Sequence, residues 1–211
     1  MYTDRADAAR KLVHELEDFR GQTDTVVAGI PPGGAIVAAE LAIGLRLPFA
    51  CLGVYTVPMA TRPDAVLGVI DEDGTVTLDT TTEVTRHEVL KAGESALETL
   101  RADLKRCREG FEDPDFEGKT VIVADEAIMS ALPMQAAVGL LRTRGASRLV
   151  LATPVMAMDV RDEVTAHFDY VYVLHTARHG RAVPDFYSKV GEPTFEELMI
   201  SVRGAYTVSG G

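Results

Sequence analysis

VIVADEAIMSALPM, residues 121–134, is the stretch that decides the fold. Val121, Ile122, Val123 and Ala124 form an apolar run with no polar alternation, the pattern of a parallel strand covered by helices on both faces. Asp125 and Glu126 follow at its carboxyl end, where open α/β sheets bind ligands. A short loop then enters a helix at about Pro133, and a helix N-terminus attracts anions. Pro133 suits a first helical turn because its missing N–H is not needed there.

Outward from this stretch, helix and strand patterns alternate. Residues 4–19 read as an amphipathic helix with Ala8, Leu12, Val13 and Leu16 on one stripe. A short strand over 25–28 ends in the Pro31-Pro32-Gly33-Gly34 turn, and 35–45 reads as a helix. Residues 49–57 read as one strand. Residues 66–70 and 75–78 flank the turn residues Asp71 to Gly74 as a hairpin. There the reading of solvated turn acids outweighs that of a metal cluster. A long helix covers 82–111, with Gly93 a weak point in its middle. Beyond 121–134 come a helix to Arg144 stopped by Gly145, a strand over 148–154, a helix over 159–167, a strand over 170–174 and a helix over 194–202. The tail from Val208 reads as frayed. This order predicts a doubly wound parallel sheet flanked by helices.

The chain has 211 residues, enough for one domain over 1–211 with a full core. Apolar residues make up 46% and charged residues 25%, the values of a soluble globular protein, and no apolar run approaches membrane-helix length. With no apolar leader at the start, the expected location is the cytoplasm. A net charge of -11 argues against nucleic-acid binding and gives no long-range attraction for polyanions. Cys51 and Cys107 stand far apart in the sequence and read as idle buried thiols.

Six segments, in order, resemble the type I phosphoribosyltransferase family. They are DRADAARKL (4–12), VVAGIPPGGAIVAAELA (26–42), RPDAVLGVIDEDG (62–74), VIVADEAIMSALPMQAA (121–137), GASRLVLATPV (145–155) and AVPDFYSKV (182–190). The resemblance implies a parallel sheet with a small hood drawn from 55–80 and 175–205. It implies transfer of ribose 5-phosphate from phosphoribosyl pyrophosphate to a base or other nucleophile, with Mg²⁺ as cofactor of an active enzyme. Asp125 and Glu126 then fall on the ribose. Ala127, Ser130, Ala131, Leu132 and Pro133 fall on the phosphate loop, and Pro31, Pro32, Gly33 and Gly34 on the pyrophosphate loop.

The chain departs from the family at several of these places. Ala127 and Ala131 stand where glycine would let the backbone approach a phosphate. Pro133 stands where a hydroxyl and an N–H would bind one. Pro32 replaces an arginine, and Tyr55 and Thr56 occupy an Arg-Lys pair. Arg62, Arg178 and Arg181 are the candidate anion contacts in compensation, and His175 and His179 lie beside the last two. Each lost charge-assisted bond to phosphate costs about 1.5–3 kcal/mol. The expectation is therefore weak or lost transfer with a ligand-binding or regulatory role; the alternative is an active transferase with unusual pyrophosphate ligands. The expected partner is a phosphosugar or nucleotide-like small molecule, with neither nucleic acid nor membrane. The helix over 82–111 is a candidate element of a homodimer.

Overall fold

The computed structural model describes residues 1–59, 62–79, 86–108, 111–178, 182–189, 191 and 193–209. Helix α1 (Arg5–Glu15) is capped by Asp4, whose side chain accepts from the Asp7 N–H. Strand β1 (Thr25–Gly29) leads into α2 (Gly33–Leu45) and β2 (Phe49–Cys51). Strands β3 (Val54–Met59), β4 (Arg62–Asp71) and β5 (Val76–Leu78) follow, then the long α3 (Arg86–Cys107). Strand β6 (Thr120–Ala124), helix α4 (Leu132–Thr143), strand β7 (Arg148–Ala157), the short α5 (Arg161–Thr165), strand β8 (Tyr170–Ala177) and α6 (Phe195–Ser209) complete the order.

Five strands form a parallel sheet in the order β2-β1-β6-β7-β8. Their alternation divides the core between two faces. Val27, Ile122, Ala124, Val150 and Ala152 face Leu12, Ala38 and Leu41 of α1 and α2, together with Val202 of α6. Val26, Ala28, Val121, Val123, Leu149 and Leu151 face Met134, Leu140 and Leu141 of α4 and Val164 of α5. The doubly wound parallel sheet expected from the sequence is therefore present. Alanines along α2 let it lie close on the sheet; a Cβ on Gly29 would sit 2.5 Å from that of Ala38.

Strands β3, β4 and β5 form a separate antiparallel sheet between α3 and α4. This is the outlying part expected within 55–80. The strand expected over 49–57 is two strands. At Leu52 and Gly53 the chain leaves the parallel sheet for the antiparallel one, and a Cβ on Gly53 would strike Leu104 and Glu72. Helix α3 runs unbroken through Gly93; of the helix expected over 82–111, residues 82–85 and 109–110 lie outside the described residues.

Of the Asp71-Glu72-Asp73 turn acids, Asp73 is exposed as expected while Asp71 and Glu72 are tied into the protein, and among the described residues they form no metal cluster. Asp71 accepts from the Asp73 and Thr75 N–H groups, an Asx-type turn. Glu72 pairs with Arg108 at 2.8 Å and Arg144 at 3.5 Å, and Asp73 pairs with Arg144 at 2.8 Å. The helix expected over 159–167 is a 3₁₀ turn at Met158–Val160 followed by the five residues of α5. Helix α6 runs to Ser209, so Val208 and Ser209 are helical rather than frayed. No helix among the described residues is long and apolar enough to cross a membrane.

Candidate functional site

The strand order reverses between β1 and β6. The chain leaves β1 through α2 toward β2 on one side and leaves β6 through α4 toward β7 on the other. Gly29 is in register with Ala124, so residues 30–34 and 125–131 emerge side by side at the carboxyl edge. This is the switch point at which such sheets hold ligands. Helices α2 and α4 both begin here, each without a side-chain cap.

The two acids turn toward the protein. Glu126 forms an ion pair with Arg5 of α1, and the two side chains are 16% and 9% exposed. A Cβ on Gly33 would lie 2.0 Å from Glu126 Oε1, and one on Gly34 would lie 2.6 Å from Asp125 Oδ1. Both carboxyl groups therefore rest on the first turn of α2, where only glycine leaves them room. The Tyr187 hydroxyl donates to the Glu126 carbonyl at 2.6 Å. Burial, and the adjacent Tyr187–Glu126 charge contact, raise the Tyr187 phenol above its ordinary range.

Among the described residues Asp125 has no cationic partner. Burial raises its carboxyl pKa to about 8, the neighbouring Glu126 charge adds to this, and a bond from the Glu126 N–H opposes it. One carboxylate is thus committed to Arg5 and the other is held largely protonated at neutral pH. Mg²⁺ takes ionised carboxylates in near-octahedral geometry, and the Glu126 carboxylate is already engaged by Arg5. Among the described residues no group of three or more His, Cys, Asp and Glu side chains converges for a metal.

The loop expected to wrap a phosphate is stitched into the protein. The Ile128 N–H donates to the Val155 carbonyl and the Ala157 N–H to the Ile128 carbonyl, both at 2.9 Å. Ala127 is buried among Tyr2, Ala8, Val155 and Tyr187, with Met129 packed on the same cluster. Ile128 and Ala131 are buried with the α4 face, against which Leu132 also packs. Ser130 is exposed, and Pro133 lies in the first turn of α4. Above the loop, residues 1–3 run alongside 186–189: Tyr2 and Ser188 or Phe186 exchange backbone bonds, and the Tyr2 hydroxyl donates to Pro154 O at 2.9 Å.

On the other loop, Pro31 and Pro32 are joined by a cis peptide, and Gly33 and Gly34 are already the first residues of α2. Pro31, Pro32 and Tyr55 line a 200 Å³ cavity with Leu104, Cys107 and Phe195. Tyr55 and Thr56 lie on β3 of the antiparallel sheet.

Of the candidate anion contacts, Arg62 begins β4 and Arg178 is exposed just after β8, two strands from β6. Arg181 and His179 lie outside the described residues. His175 is exposed and its ring lies 5.7 Å from that of Phe186. The cation that the structure brings to the acids is another, Arg5, which with Lys189 borders a 250 Å³ cavity that also includes Asp4 and Glu197. Sequence reading missed Arg5, although a signal was there. Arg5 shares the α1 stripe with Ala8, Leu12 and Leu16, and a charge on a buried stripe needs a partner.

Comparison with known proteins agrees with this fold. A phosphoribosyl transferase domain pattern matches residues 1–192. A Mycobacterium tuberculosis protein provisionally named a phosphoribosyl transferase is 29% identical over 212 residues, which is 98% of this chain and 47% of that protein. The chain thus spans about half the length of the curated relatives it matches. A crystal structure of the Thermus thermophilus protein TT1426 superposes with a TM-score of 0.80 at 24% identity, over 100% of both chains. The Aquifex aeolicus protein AQ2163 superposes with a TM-score of 0.54 at 11% identity, over 90% of this chain and 87% of that one. These two likenesses concern the fold. A domain match extending over 1–192, on a chain folded in this way, makes it a member of the phosphoribosyl transferase domain family.

Proposed function

We propose that phosphoribosyl transfer in this family member is weak or lost, and that its cleft serves a ligand-binding or regulatory role. The observation that carries the reading is the Glu126 carboxylate, turned onto Gly33 and paired with the buried Arg5. To meet a ribose hydroxyl, Glu126 would first have to leave that guanidinium without its partner. Breaking a buried pair from one side costs about 3–5 kcal/mol, which is about 10²–10³-fold or more in affinity.

Three further features point the same way. Asp125, with its raised pKa, offers a neutral carboxyl, a weaker acceptor than a carboxylate. The Ile128 N–H is committed to Val155, and Ala127 and Ala131 are packed into apolar clusters. Pro32, Tyr55 and Thr56 bring no charge to the pyrophosphate side. The proposed ligand is a nucleotide-like molecule or a phosphosugar without a pyrophosphate group, bound beside Arg5 and Lys189 without turnover.

The alternative, an active transferase, draws on the two uncapped helix N-termini at the switch point, which offer N–H groups to anions. Magnesium belongs to that alternative. Calorimetric titration with phosphoribosyl pyrophosphate and Mg²⁺ separates the two: absence of saturable binding is expected, and saturation in the micromolar range would sink the proposal.

A further inference from the structure

We propose that Cys51 and Cys107 form an oxidation site, a buried dithiol that closes to an intramolecular disulfide when a peroxide enters the cavity beside Pro31 and Pro32. The two residues are remote in sequence, but the fold brings them together. Cys51 ends β2, the edge strand of the parallel sheet, and Cys107 ends α3. Both are free and buried in the same apolar cluster, close enough for their thiol groups to interact.

The backbones are held together around the pair. Arg108 Nη2 donates to the Cys51 carbonyl at 2.7 Å, and Asp113 Oδ1 accepts from the Cys51 N–H at 3.4 Å. Arg108 is in turn fixed by Glu72 and Asp113, at 2.8 and 2.5 Å. Access comes from one side: Cys107 lines the 200 Å³ cavity bounded by Pro31, Pro32 and Tyr55, large enough for a peroxide. The interaction with Cys51 lowers the Cys107 thiol below its ordinary range, aided by Arg108 and Arg106 and opposed by burial and Asp103. The same interaction and burial push the Cys51 thiol up. Cys107, the thiol that lines the cavity, meets the peroxide first and is the nucleophile, with Cys51 behind it as the resolving thiol.

The chemistry balances with hydrogen peroxide as oxidant. The Cys107 thiolate attacks one peroxide oxygen and the O–O bond breaks. Cys107 becomes a sulfenic acid, and the departing hydroxide takes the thiol's proton as water. The Cys51 sulfur then attacks the Cys107 sulfur as its own proton is lost. The S–S bond forms, the S–O bond breaks, and a second water leaves. Two thiols are oxidised to one disulfide while one peroxide is reduced to two waters. The product ties the end of α3 to the sheet edge next to the Pro31–Pro32 loop, whether or not phosphoribosyl transfer survives in that cleft.

Peroxide titration of the reduced protein tests this, with thiol alkylation after unfolding, intact mass and peptide mapping as readouts. The proposal expects both thiols to disappear together in the monomer, with loss of two hydrogens, a crosslinked Cys51–Cys107 peptide, and recovery on reduction. In Cys51→Ser the remaining thiol should instead gain oxygen. In Cys107→Ser, loss of the remaining thiol should slow by about tenfold or more. Exposed Met158 serves as an internal gauge of oxidant dose. If both cysteines stay alkylatable at a dose that already oxidises Met158, or if they crosslink only between molecules, the proposal is overturned. The wild-type peptide map decides the question even if a variant does not fold.

Discussion

Arg5 and Glu126 couple the first helix to the loop after β6. Replacing Arg5 by Ala leaves Glu126 partly buried beside protonated Asp125, with no cation. The expected loss is about 3–5 kcal/mol, read as a lower urea midpoint at unchanged slope. A shift under about 1 kcal/mol would mean that the pair is a surface contact. Asp125 makes a prediction of opposite sign to the usual carboxylate. Its folded-state pKa is raised from 3.8 to about 8. Between those values the native state holds a proton that the unfolded chain has released, so stability falls as pH rises. The slope approaches about 1.4 kcal/mol per pH unit within that window and vanishes below and above it. Asp125→Asn, nearly the same shape and always neutral, should flatten the curve of urea midpoint against pH. An unchanged curve would contradict a protonated Asp125. Both acids could be placed from the sequence, because an apolar run ends at them. Their orientation could not, because it depends on Arg5, 121 positions away.

Element by element, the legible parts were those whose own periodicity carried the information. Strand β6 is buried at every position, as its unbroken apolar run implied, and Gly145 closes the turn after α4 with a φ of +81°. Residues 49–57 misled because β2 and β3 abut with nothing polar between them; what divides them is a change of sheet, not a break in pattern. The acids at 71–73 were placed in a turn but not with their partners. Arg108 and Arg144 come from the C-terminal ends of α3 and α4, which sequence spacing cannot bring together.

Gly93 was a local weakness that tertiary packing overrides. A Cβ there would lie 3.9 Å from Ile70 and Val76, ordinary contact, inside a continuous helix. Gly93→Ala should therefore stabilise by about 0.5–1 kcal/mol, seen as a rise in Tm. A fall in Tm would mean that α3 bends at this point.

At the scale of the molecule, the family is carried by topology and the doubt by chemistry. Strand order β2-β1-β6-β7-β8 creates a switch point with two helix N-termini, and the sequence places the expected loops there. The fold was legible because six separated segments fall in family order along a regular alternation of helix and strand. The state of the site was legible only in part. Prolines such as Pro32 and Pro133, which carry no N–H, can be read one residue at a time, whereas the burial of Ala127, Ile128 and Ala131 cannot. The carboxyl groups of Asp125 and Glu126 lie on the first turn of α2, and a chain of net charge -11 offers a polyanion no long-range attraction.

The most direct test is isothermal titration of the protein with phosphoribosyl pyrophosphate in excess Mg²⁺ at neutral pH. The account predicts no saturable heat up to about 1 mM ligand, a binding free energy weaker than about 4 kcal/mol. A saturable isotherm with a Kd near or below about 10 μM would contradict it and restore the active transferase.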